Sequence, residues 1–212
     1  MKKLMSLMAA IGLVSSTGTL FSNVVSCSKA KPSDEVKTLT YKEGKNDKSF
    51  VEVLENKTKI GNDSEGRGLL VEQNKLQRDY LDEKNESDEV DFGNYEGSAV
   101  YFTVDKTTAI NNEESNEDSR IEDSFPNYMK EIFNELNDFK NKQVVNKTEK
   151  RVTVDYYFMT IKGVKDSSEF TTFIYNFKLD AKLPEENPSQ NNVKEKLKGE
   201  STLMYKKTIT IS

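Results

Sequence analysis

Read for hydrophobic spacing, the chain begins with an apolar leader and a polar stretch, then passes into a body where helical and strand periods follow one another without regular order. Leu4 to Val14 is an apolar run of helical length, and no acidic residue precedes Asp34. Residues 27–48 carry few large aliphatics and read as a flexible tether with an r.m.s. span of roughly 25 Å. From Asn46 the period turns helical. Phe50, Val53, Leu54 and Ile60 fit one face, Asn46 or Asp47 caps the start, and Gly61 sits where a C-terminal glycine belongs. A short strand over 50–54 is the alternative. After the loop 61–68, Leu69, Leu70, Gln73, Leu76, Tyr80 and Leu81 describe a second amphipathic helix.

The second half changes period. Val100, Phe102 and Val104 alternate as in a strand. A helix is predicted over 124–141, opened by Ser124 and Pro126, with Phe125, Met129, Ile132, Phe133, Leu136 and Phe139 as its apolar stripe. The runs 151–161 and 169–179 are rich in β-branched and aromatic residues and predict an antiparallel hairpin. Near the C-terminus, Leu203, Tyr205, Ile209 and Ile211 share one face of a further strand, interrupted by Lys207. Helices and hairpin strands without βαβ alternation predict an α+β fold. Its sheet is antiparallel with about four strands, the 124–141 helix packs on one face, and the other face is partly wet or covered by N-terminal helical segments. Residues 49–212 are read as one domain.

Composition narrows the chemistry. The 212 residues include 31 basic and 36 acidic side chains, one cysteine, and neither histidine nor tryptophan. A disulfide within the chain, a zinc site built on Cys and His, and a histidine-based triad are therefore excluded. A pI near 5.1 argues against nucleic acid as the partner, because counterion release needs clustered positive charge.

The leader sharpens the picture. Lys2 and Lys3 precede the apolar run, which is too short and too broken by Ser15, Ser16, Gly18, Ser22 and Asn23 to span a bilayer well. It ends on Val24-Val25-Ser26-Cys27, which resembles a lipobox, with an aliphatic residue at −3, a small one at −1 and then cysteine. The stretch from Met1 to about residue 30 is similar to the leaders of surface lipoproteins of wall-less bacteria, the spiroplasma type in particular. That resemblance implies a signal peptide over 1–26, diacylation of Cys27, and a mature chain starting there on the outer face of the cell membrane. Two acyl chains, at about 0.8 kcal/mol per buried methylene, anchor a protein stably where one does not. Loss of the two leader lysines brings the mature chain to 29 basic against 36 acidic residues, a net charge of −7.

Other motifs resolve to plain readings. The loop 61–68 has phosphate-loop glycine spacing but lacks the Lys-Ser/Thr pair, and its Asp63 and Glu65 repel phosphate. The acidic runs 86–91 and 113–118 do not match EF-hand ligand spacing. Four Asn-x-Ser/Thr matches, at Asn56, Asn62, Asn85 and Asn146, are what an Asn-rich chain yields by chance. No cofactor or metal is implied. The hairpin concentrates Tyr156, Tyr157, Phe158, Phe170, Phe173, Tyr175 and Phe177, which read mainly as core. Tyr157 and Tyr175 are the candidate partner contacts, since tyrosines anchor interfaces with little entropy to lose. The resulting expectation is a non-enzymatic, membrane-anchored surface module that contacts a host or neighbouring cell-surface protein. The alternatives are a ligand-capturing lipoprotein feeding a transporter and, less favoured, a carboxylate-dependent surface hydrolase.

Overall fold

The two runs richest in β-branched and aromatic residues pair antiparallel without a break, from Thr171↔Lys162 to Lys182↔Arg151, and the other strands are laid on either side of them. The computed structural model describes residues 31–61, 66–82, 90–102, 117–182 and 197–212. In chain order the elements are β1 (Lys31–Lys37), α1 (Asp47–Lys57), β2 (Thr58–Ile60), β3 (Val71–Glu72), β4 (Lys75–Leu76), β5 (Val90–Asp91) and β6 (Ser98–Phe102). There follow β7 (Glu117–Asp123), α2 (Asn127–Lys130), a 3-10 turn (Glu135–Asn137), β8 (Lys140–Asn146), β9 (Arg151–Lys162), β10 (Glu169–Lys182), β11 (Leu197–Lys198) and β12 (Glu200–Thr210).

The α+β expectation with a four-stranded sheet is overturned. Strands account for 53 % of the described residues, two α-helices are present among them, and the main sheet is mixed and eight-stranded. On one side of the central hairpin, β12 pairs antiparallel with β10, and β1 pairs parallel with β12. On the other side the sheet forks. β8 pairs with Arg151–Asp155 of β9 and carries β7 outside it, while β6 pairs with Thr160 and Ile161 and carries β2. Between the branches the Tyr157 N–H donates to Asn141 Oδ1 at 3.0 Å, a side chain standing in for a missing strand.

Alternation along β9 and β10 makes two cores. On one face Met159, Ile161, Phe170, Ile174, Ile209 and Ile211 meet α1 through Phe50 and Leu54, together with the segment 125–136. On the opposite face Val152, Val154, Tyr156, Phe158, Phe173, Tyr175 and Phe177 meet Phe92, Tyr95 and Leu197. Six of the seven hairpin aromatics are buried, so their reading as core holds, with Tyr157 half-buried.

The helix predicted over 124–141 is cut down to one turn, Asn127–Lys130, and a short 3-10 turn. Its stripe is buried as the period implies, with Phe125, Met129, Ile132, Phe133 and Leu136 each at 3 % exposure or less, but the backbone breaks. Residues 40 and 41 capture it. The Asn134 N–H donates to Thr40 O at 3.0 Å, Phe133 bridges to Tyr41, and the Glu135 carboxylate accepts the Thr40 N–H at 3.1 Å. Asn134, Asn137 and Asp138 hold a helix weakly, so this competition is inexpensive. The chain then enters β8, whose inward residues Asn141 and Gln143 are polar and hide the strand period.

The second predicted helix, 69–81, is instead the β3–β4 hairpin. Gln73 and Asn74 adopt φ of 51° and 60°, the pair of left-handed residues a tight two-residue turn requires. The first predicted helix is present as α1, capped by the Asn46 side chain accepting from Ser49 N–H at 3.1 Å, but it ends at Lys57, and Ile60, expected on its face, lies in β2. In β12 one extra residue, Met204, bulges between Ile174↔Tyr205 and Tyr175↔Leu203. It sends Leu203 to the opposite core, while Tyr205, Ile209 and Ile211 stay on the helix side.

The stretch read as a tether is also largely engaged. Lys31–Lys37 forms β1, Leu39 is fully buried, and Tyr41 stacks on Phe133 with ring centroids 4.9 Å apart. Burial, together with the hydrogen bond to Asp47, raises the Tyr41 pKa. Two substitutions test this packing by chemical denaturation. Phe133→Ala is expected to cost about 3–5 kcal/mol and Leu39→Ala about 2–4 kcal/mol, the range for buried side chains. A residue in a free tether would cost nothing measurable.

Candidate functional site

Near the β9–β10 turn both faces of the sheet are packed, whereas toward the other end Arg151, Thr153, Lys178, Asp180 and Lys182 on the helix-side face are exposed, and among the described residues that face is open. The reason lies in the strands themselves. Beyond Tyr157 the residues on that face of β9 change from apolar to Asp155, Thr153 and Arg151, and on β10 from Ile174 to Asn176, Lys178, Asp180 and Lys182. Cross-strand register arranges them in rows. Ile121, Lys142, Asp155, Lys178 and Glu200 form one row, in which the four charges alternate in sign. Ser119, Val144, Thr153 and Asp180 form the next. Arg151 grips Asp180 with a two-pronged contact, 2.5 Å at each nitrogen, and Asn176 Nδ2 donates to Asp155 Oδ1 at 2.5 Å. The Arg151 guanidinium lowers the Asp180 pKa, chiefly through that hydrogen bond.

Aromatic rings edge this polar face where it meets the core. Tyr157 stacks on Phe139 with centroids 4.5 Å apart, and Tyr205 approaches Phe139 edge-on at 5.7 Å. All three are half-buried. Burial raises the pKa of both tyrosines, with a further contribution from Asp155 at Tyr157 and from Glu135 and Asp138 at Tyr205. Both hydroxyls therefore stay protonated near neutral pH and can donate hydrogen bonds.

The two tyrosines singled out from the sequence separate. Tyr157 lies half-buried at the rim of the open face. Tyr175 does not. It is 1 % exposed on the opposite face, stacked on Phe158 at 5.3 Å, with its hydroxyl accepting the Glu96 N–H at 3.0 Å. The hairpin register decides this, because Tyr175 stands opposite Phe158 rather than Tyr157. Tyr205, Asp155 and Lys178 join the surface without having been singled out, and the buried Asn176 supports Asp155 from beneath. Their only signal was alternation on strands whose pairing the sequence leaves undefined.

A second polar group lies on the opposite face. Arg120 Nη2 pairs with Glu122 at 2.7 Å, and the Tyr156 hydroxyl donates to Gln143 Oε1 at 3.4 Å. Its charges are matched within the group. Among the described residues no set of three or more Asp, Glu, His or Cys side chains is placed to hold a metal, and no helix is long and apolar enough to cross a membrane. Val24, Val25, Ser26 and Cys27, and most of the acidic runs 86–91 and 113–118, lie outside the described residues. Comparison of the chain with protein-family models, with curated proteins and with solved structures gives no match.

Burial predicts unequal costs for the two tyrosines. Tyr175→Ala should destabilise by about 3–5 kcal/mol and Tyr157→Ala by less than half as much, as read by urea unfolding. A second test concerns acid stability. Asp123 at the margin of β7 binds Lys130 and Lys140, which lower its pKa through hydrogen bonds. A carboxylate lowered on folding contributes stability above its unfolded pKa and loses it as pH falls through the folded value. Asp123→Asn should therefore lower stability at neutral pH and flatten the loss below about pH 4, the unfolded carboxylate value.

Proposed function

We propose that the chain is a membrane-anchored surface lipoprotein. Residues 1–26 export it, acyl chains on Cys27 hold it at the outer face of the cell membrane, and the open half of its sheet contacts a host or neighbouring cell-surface protein. Its role is recognition rather than catalysis. The observation that carries this reading is the position of the chain's one cysteine, directly after Val24-Val25-Ser26 at the end of the leader. Cleavage before Cys27 leaves every described element intact, since β1 starts at Lys31.

The geometry of the open face supports the recognition half. From Arg151 to Tyr157 is about 20 Å along the strand, and five strands span about 19 Å, so the face covers roughly 400 Å² in plan. That area falls below the roughly 800 Å² per partner of a stable complex and suits a transient contact, strengthened when many anchored copies engage together.

Metabolic labelling with palmitate and intact mass test the anchor. The expected product begins at Cys27 and carries acyl chains, and Cys27→Ala should be unlabelled and misprocessed or shed from the membrane. An unmodified chain beginning at Met1 would overturn the reading. Turnover of a nucleotide, glycan, peptide or lipid by the purified protein would overturn its non-enzymatic half.

A further inference from the structure

The open half of the sheet is matched in charge to itself. On the helix-side face Lys142, Asp155, Lys178 and Glu200 occupy one row, and Val144, Thr153 and Asp180 occupy the next, about 7 Å toward Arg151. Arg151 and Lys182 lie one row beyond, and Tyr157 and Asn176 one row before. The Lys178 side chain is 68 % exposed and those of Arg151 and Asp180 are each 51 % exposed, so these charges can meet a second surface. The other half of the same face stands higher, because α1 and the segment 125–136 are packed on it. The face is therefore a step, a low polar ledge and a raised block that meet at Tyr157, Phe139 and Tyr205.

A two-fold pair of such steps closes ledge to ledge in one way. An axis along the strands brings both raised blocks to the same end, where they collide in the gap of about 10 Å between facing sheets. An axis across the strands, from β1 at one edge of the sheet to β7 at the other, places each block beyond the open end of the other copy. Charge then fixes the register. An axis over the row of Asp155 sets Lys142, Asp155, Lys178 and Glu200 each against itself, and an axis over the next row sets Asp180 against itself, so both are repulsive. With the axis midway between the rows, Lys178 faces Asp180 of the second copy, Asp155 faces the Thr153 hydroxyl, and Tyr157 at the step faces the Arg151 guanidinium. Along β9 and β10 no like charges then stand opposite one another, and each contact is made twice.

We propose that the open half of the sheet pairs with the same surface of a second copy of this chain on the same membrane, about a two-fold axis midway between the rows of Asp155 and Thr153. This names the partner of the face already read as a contact with a cell-surface protein, and it rests on that reading and on Cys27 as the anchor. The topology agrees with it, since β1 is an edge strand and the axis starts at that edge. Both β1 strands lie on one side of the pair, and only residues 28–30 separate each from Cys27, so two anchors can enter one bilayer. A ledge of roughly 400 Å² is about half of what a stable complex buries on each partner. The pair is therefore weak in solution and is held by the high local concentration of anchored copies.

An exchange of charges tests the contact. Because Cys27 is the only cysteine, the full lipidated chain carrying Thr148→Cys has one free thiol once Cys27 is acylated, and Thr148 is exposed in the turn after β8, outside the facing rows. Two such labels lie about 40 Å apart in the pair, six residues from the axis on either side. Donor- and acceptor-labelled copies are reconstituted together at low surface density in phosphatidylcholine vesicles, with lipid-anchored dyes at the same density giving the random level of energy transfer. Transfer should exceed that level at least threefold. Lys178→Asp or Asp180→Lys alone should return it to the random level, because like charges then face each other across the axis. Mixing donor-labelled Lys178→Asp with acceptor-labelled Asp180→Lys should restore at least half of it, which also shows both variants folded. Random transfer by the parent chain, in protein whose mass shows acylated Cys27, overturns the self-pairing and leaves the face to a different protein. Excess transfer that neither substitution lowers overturns this face as the contact, and loss without restoration overturns the register. A mass showing Cys27 unmodified overturns the anchor and the anchored pair together.

Discussion

The structure depends on the register between β9 and β10. Alternation assigns every side chain of these strands to one of two faces, and a slip of one residue would exchange the faces wholesale. With Tyr175 opposite Phe158, the rings of Tyr156, Phe158, Phe173, Tyr175 and Phe177 all enter one core. Met159, Ile161, Phe170 and Ile174 enter the other. The same register leaves Asp155, Lys178, Arg151 and Asp180 on an uncovered surface. Gly97 helps hold the β6 branch against this pair, since its φ is +85° and a Cβ there would lie 2.4 Å from Ile161 O.

Around the hairpin the fold is closed by polar side chains as much as by further strands. Asn141 fills the fork beside Tyr157. Asn134 and Glu135 bind Thr40, and Arg78 donates to Ile60 O at 3.0 Å. The contact at Asn141 satisfies a backbone N–H that the fork leaves without a strand partner, where an unmet group costs more than an ordinary hydrogen bond's net gain. This closure draws the N-terminal segment into the domain. Leu39 and Tyr41 complete the helix-side core, so the described fold begins with Lys31–Lys37 rather than after residue 48.

Strand content in the second half was legible because its signals were local. Arg151–Ile161, Glu169–Leu179 and the C-terminal run combine β-branched and aromatic residues with two-residue alternation, and all three form strands. The α1 helix was legible for the same reason, with Asn46 as its cap and Phe50 and Leu54 on its buried side. The stripe Phe125–Leu136 was correctly marked for burial, because burial follows from hydrophobicity whatever path the backbone takes.

The path itself was not legible. A helical period in 124–141 yields to partners almost a hundred residues earlier, Thr40 and Tyr41, whose hydrogen bonds no local window contains. β8 was hidden because Asn141 and Gln143 occupy inward positions that only neighbouring strands make favourable for amides. Tyr157 and Tyr175 are equivalent by composition, and the open face they were to share exists only through pairing. By itself the sequence determined which segments prefer strand or helix and which side chains must leave water, since both follow from local sterics and transfer free energy. Tertiary structure alone decided which face each strand turns outward, because that depends on register, a relation between segments far apart in the chain.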